Sequence, residues 1–68
     1  MSTSVNKAYE IIKDKIITLE MPPGSAIHET VLAEELKLGR TPVREALKLL
    51  QAEKLFSTVP RRGMFVSN

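Results

Sequence analysis

Leu38-Gly39-Arg40-Thr41-Pro42-Val43-Arg44-Glu45-Ala46-Leu47 is the stretch from which the fold of this 68-residue chain can be read. Thr41 is suited to cap a helix, accepting a hydrogen bond from a first-turn backbone N–H. Pro42 would then occupy the first helical position, where its missing N–H costs nothing. Val43, Ala46, Leu47 and Leu50 recur at helical spacing and form one apolar face. Arg40, Thr41, Arg44 and Lys48 fall on or beside the opposite face. The stretch therefore predicts a helix over residues 41–53 with a buried back, a basic front and an N-terminus favourable to anions.

Immediately before it, residues 29–37 predict a shorter helix that buries Val31, Leu32, Ala33 and Leu36 and turns Glu34 and Glu35 to water. Leu38-Gly39 separates the two, and Gly39 is expected to supply the positive φ of a sharp turn. Two helices joined in this way make a helix-turn-helix. Further upstream, Val5, Ala8, Tyr9, Ile12, Ile16 and Leu19 mark one face of a helix over residues 5–19, with Ser4 as its cap. Ile11 and Ile17 fall off that stripe, which fits either a wide buried face or a contact with a second subunit or with a domain outside this chain. Met21-Pro22-Pro23-Gly24 should stop this helix, and residues 25–28 read as a short extended segment suited to a sheet edge.

Downstream, residues 55–59 and 64–67 read as strands around a Pro60-Arg61-Arg62-Gly63 turn. The predicted fold is mainly α with a small β-hairpin: a winged helix-turn-helix of three helices plus a two-stranded wing, forming one domain over residues 1–68.

Composition limits what such a domain can do. The net charge is only +2, but residues 1–36 carry −3 and residues 37–68 carry +5. The second half is where a polyanion would bind, with the acidic half turned away. There is no cysteine and a single histidine, His28, so neither a disulfide scaffold nor a metal site is expected. His28 reads as a surface residue near a helix start. No apolar run approaches the ~20 residues of a membrane helix, and residues 1–7 lack the pattern of a signal peptide. The expected location is the cytoplasm, with no membrane partner. Catalysis has no nucleophile–base pair or phosphate loop to use, and no cofactor is expected.

The basic groups lie where a duplex would meet them. Arg40 and Arg44, one turn apart, suit base edges or phosphates, since the arginine fork matches guanine O6 and N7. Thr41 and the backbone N–H groups near Gly39 suit a phosphate oxygen. Lys48 lies one turn further along and suits phosphate, while Arg61 and Arg62 at the hairpin tip suit a minor groove or the backbone. Glu45 opposes this trend unless it pairs with Arg44 or with the second helix. The competing reading is a protein-interaction winged helix whose basic face meets an acidic partner.

The chain also resembles the DNA-binding domain of GntR-family bacterial transcription regulators, and most closely their FadR-like branch. The matching residues are Pro23-Gly24, Leu32-Ala33-Glu34-Glu35-Leu36, Arg40-Thr41-Pro42-Val43-Arg44-Glu45-Ala46-Leu47, Leu50, Pro60, Arg62-Gly63 and Phe65-Val66. The resemblance implies sequence-specific binding of double-stranded DNA at an inverted-repeat operator, by a homodimeric regulator that represses. It implies contacts from Arg40, Thr41 and Arg44, with Pro42 lying between them, and wing contacts from Arg62 and Gly63 in the minor groove. A small-molecule effector would act only through a C-terminal domain outside this chain. Thr30 stands where some members carry a basic DNA-contacting residue, so that contact is not carried over. Gly39 replaces the usual serine or threonine, leaving only its backbone N–H. Lys54 replaces the glycine usual after the third helix, and Leu49 is apolar where a polar residue is common.

Overall fold

The computed structural model describes residues 3–67; residues 1, 2 and 68 at the ends of the expected domain lie outside them. The elements run α1 (Thr3–Ile17), β1 (Ala26–Ile27), α2 (Glu29–Leu36), α3 (Arg40–Ala52), β2 (Phe56–Val59) and β3 (Gly63–Val66). This is the expected winged helix-turn-helix. The wing gains a third strand, because β1 pairs antiparallel with β3 to give the order β1-β3-β2. Of the extended segment expected over residues 25–28, Ala26 and Ile27 form the edge strand of the sheet.

The core is aliphatic around one aromatic ring. Ala8, Ile12 and Ile16 of α1 meet Val43, Ala46, Leu47 and Leu50 of α3, closed by Leu32, Ala33, Ile27, Phe56 and Val66. The periodicity of α3 is realised in full, with all four of its predicted apolar positions buried. A polar tie fastens α1 to the end of α3: the Tyr9 hydroxyl donates to Glu53, and Lys13 Nζ lies 3.6 Å from the same carboxylate.

Several local expectations are corrected. Ser4 lies inside α1 and does not cap it. The helix ends at Ile17, ahead of the Pro-Pro turn, because Leu19 takes a left-handed φ of 67° and turns the chain. Leu19 is therefore exposed rather than part of the buried stripe, as is Ile17, while Ile11 is only half-buried. Val31 is also exposed; Leu32 and Ala33 do the burying in α2. Gly39 has an ordinary φ of −69°, and the left-handed residue of the turn is Lys37, at 58°. Here the Lys37 and Leu38 N–H groups donate back to Glu34 and Ala33 carbonyls, and that closure needs the reversal at Lys37, two residues before the glycine.

The end of α3 follows the same pattern. Lys54 N–H donates to the Gln51 carbonyl at 2.9 Å and Leu55 N–H to the Leu50 carbonyl at 3.1 Å, with Lys54 at a φ of 66°. This is a Schellman closure at the position where the resemblance expects glycine. A lysine in left-handed geometry carries about 1–2 kcal/mol of steric penalty, partly offset by the extra unfolded-state entropy of glycine. Lys54→Gly is therefore expected to raise the melting temperature by about 3–6 °C, a gain of about 0.5–1 kcal/mol. A lower melting temperature would show that the lysine side chain contributes more than its backbone strain removes.

Candidate nucleic-acid interface

The start of α3 differs from its sequence reading in a way that bears on the site. Its N-cap is Gly39, with extended backbone and no capping side chain, and Arg40 is the first helical residue. Thr41 is therefore the second residue and caps nothing; Pro42 is the third. The proline is still harmless, since the first four N–H groups of a helix have no partner within it. The first intrahelical bond runs from the Val43 N–H to the Gly39 carbonyl at 3.4 Å. The earlier start places Arg40 within the first turn, and the N-terminus is left uncapped and exposed.

Arg40, Thr41, Arg44 and Lys48 all emerge on the exposed side of α3, opposite the buried Val43, Ala46, Leu47 and Leu50. The structure brings Arg40 and Arg44 together through a residue that the sequence reading placed on the far, acidic half of the molecule. Glu29, the first residue of α2, accepts from Arg44 Nε at 3.1 Å, from Arg44 Nη2 at 3.0 Å and from Arg40 Nη2 at 3.2 Å. The hydrogen bond from Arg44, followed by that from Arg40, holds the Glu29 carboxyl below its ordinary pKa of 4.5, so it is ionised at neutral pH. The same contact raises the Arg44 guanidinium further above its usual range.

Glu29 was not singled out in the sequence because its partners lie 11 and 15 residues away. The available signal was topological. A helix-turn-helix brings the first turns of its two helices close together, so an acid at the start of one faces bases at the start of the other. Glu45, by contrast, is exposed and pairs neither with Arg44 nor with α2 among the described residues.

At the wing, Val59 pairs with Gly63 across Pro60, Arg61 and Arg62. The Arg62 N–H donates to the Val59 carbonyl at 3.0 Å, and Arg61 has a φ of 66°. Pro60 followed by a left-handed residue fits a type II turn, which normally places glycine where Arg61 stands. Gly63 takes a φ of 110°, which favours glycine at that position. Arg61 and Arg62 are exposed, and like Lys48 they form no ion pair among the described residues. His28 is exposed just ahead of α2, as expected. Among the described residues no cluster of His, Cys, Asp or Glu could hold a metal, and no helix is long and apolar enough to cross a membrane.

A three-helix body with a basic third helix and an arginine-tipped strand pair is the architecture of winged-helix nucleic-acid readers. Residues 4–66 match the sequence profile of "Bacterial regulatory proteins, gntR family", and the chain belongs to that family. It is 42% identical over 65 residues to an uncharacterised HTH-type transcriptional regulator from Streptomyces ambofaciens, covering 96% of this chain and 28% of that one. It is 41% identical over 54 residues to the gluconate operon transcriptional repressor of Bacillus subtilis, covering 79% of this chain and 22% of the repressor. In three dimensions it is similar to the DNA-binding domain of AraR in complex with operator ORX1, with a TM-score of 0.84, 25% identity, and coverage of 98% of this chain and 82% of that one. The chain thus spans less than a third of the length of these two curated relatives. The family is described as one of regulatory proteins.

Proposed function

We propose that this domain is the operator-reading part of a bacterial transcription regulator of the FadR-like branch, which binds double-stranded DNA sequence-specifically. The observation that carries this reading is the front of α3. There Arg40, Thr41, Arg44 and Lys48 project together from a helix whose back is locked into the core. On this reading α3 enters a major groove. Arg44 and Arg40 address base edges; Thr41 and the free N–H groups of the uncapped N-terminus, near Gly39 and Pro42, meet a phosphate. Lys48 meets phosphate further along, and Arg61, Arg62 and Gly63 bring the wing to the neighbouring minor groove. The AraR complex and the gluconate repressor support an operator as target and repression as outcome. The complete regulator acts in the cytoplasm as a homodimer on an inverted repeat, and a small-molecule effector acts through a further domain.

A salt titration tests the reading. Neutralising three phosphates per copy with Lys48, Arg61 and Arg62 predicts log K falling against log salt with a slope of about −2.7. Selection from a random duplex pool should also enrich one sequence. A slope near zero, or no enrichment, would instead favour an acidic protein partner for the same face.

A further inference from the structure

Glu29 is the residue of this face that the DNA-binding reading leaves without a role, and its geometry is specific. Its side chain is 19% exposed, against 61% and 52% for Arg40 and Arg44, so it sits behind the two arginines. The carboxylate takes Arg44 by one edge of the guanidinium, through Nε and Nη2. A guanidinium has five N–H donors in a rigid plane. With that edge held, the opposite one remains, comprising Nη1 and the second hydrogen of Nη2. This edge is a parallel two-donor fork of the kind that guanine O6 and N7 accept. Arg40 gives Glu29 a single bond from Nη2 and keeps its other donors.

We infer that Glu29 is a positioning residue for sequence readout: it fixes the plane of Arg44 from behind so that the free fork faces the duplex in one orientation. The inference rests on the DNA-binding reading above and deepens it. An unrestrained arginine side chain carries much rotamer entropy, part of which it must surrender on binding. Holding it in place beforehand reduces that loss. The gain is largest at a base edge, where both bonds must align, and small at a phosphate, which can be met from many directions. Meanwhile the carboxylate subtracts one charge from the face and weakens its attraction to any duplex. Glu29 therefore favours the correct sequence and disfavours the rest, which together raise the ratio of specific to non-specific binding.

Three readings of Glu29 separate in one experiment. The wild-type chain, Glu29→Gln and Glu29→Asp are titrated with a duplex enriched from a random pool by the wild type, and with a random duplex of equal length. Melting temperatures are recorded alongside. Glutamine keeps the size and one acceptor but loses the charge and the second charged oxygen; aspartate keeps the charge but falls short of the arginines. A positioning role predicts that both variants lose about tenfold in the operator-to-random ratio, within the range set by one bidentate pair. Selection should relax at one base position, and the Gln variant should bind random DNA as well as or better than wild type. In the free protein, the Arg44 Nε–H NMR signal should be sharp and ordered in the wild type and lost or broadened in both variants.

Other outcomes overturn the inference. Tighter binding of both duplexes by the same factor in Glu29→Gln, with Glu29→Asp like wild type, would make Glu29 a charge that merely competes with DNA. Equal losses on both duplexes tracking a lower melting temperature would make it a brace between α2 and α3. A wild type that enriches no sequence fails one step earlier and removes the DNA-binding reading itself.

Discussion

Phe56→Ala is expected to remove about 3–5 kcal/mol of stability. For a domain of this length that is a large part of the total, since stability of about 0.05–0.15 kcal/mol per residue amounts to about 3–10 kcal/mol here. Phe56 is 1% exposed and stands among the largest fully buried side chains, with Ile12, Leu50 and Val43. Phe56 is the one aromatic among the fully buried residues described, with Tyr9 packed only at the edge of the core. Phe56 also begins β2, pairing with Val66 of β3. Emptying its place loosens the root of the wing as well as the helical core. Urea unfolding should show a midpoint shifted sharply down at an unchanged slope, and Phe56→Leu should restore most of the loss because it keeps much of the volume. A cost below about 1.5 kcal/mol for the alanine variant would mean that the aliphatic core collapses into the gap, at odds with a core that depends on a single ring.

What the sequence disclosed and what it concealed divides along physical lines. The burial of Val43, Ala46, Leu47 and Leu50 was legible because helical spacing alone decides it. The wing was legible to within a residue, since Pro60 and Gly63 bound its turn and β-forming residues flank it. The left-handed turns were less legible. Leu19 and Lys37 reverse the chain at positive φ with no glycine to mark it. At Lys54 the only sign was the glycine that the family resemblance expects in its place. The Thr41-Pro42 pair misled in another way. It has the composition of a cap, yet the helix begins two residues earlier, where Gly39 provides the extended backbone. Glu29 shows the limit of any local reading, because its role depends on a contact between two helix starts that no periodicity records. The charge split was misleading for this one acid, which sits against the arginines rather than away from them.

The same contact shapes what Arg44→Ala should do, and makes the result more than the loss of one hydrogen-bonding group. On the enriched duplex the substitution should weaken binding by about 1–3 kcal/mol and relax preference at one base position. On random DNA the loss should be small. Part of the deficit on the enriched duplex will not come from Arg44 itself. Removing the guanidinium leaves the Glu29 carboxylate with Arg40 as its remaining partner and exposes its charge to the phosphates. Arg44→Ala combined with Glu29→Gln should therefore bind both duplexes better than Arg44→Ala alone while recovering none of the base preference. The resulting coupling energy should fall in the range of about 0.5–3 kcal/mol expected for side chains in contact. Arg44→Lys separates charge from shape: it should hold random DNA like wild type and still lose the preference, because an ammonium cannot present a planar fork. If Arg44→Ala lost affinity equally on both duplexes and Arg44→Lys restored it on both, Arg44 would be a phosphate contact. The discrimination would then have to come from Arg40 at the start of the same helix.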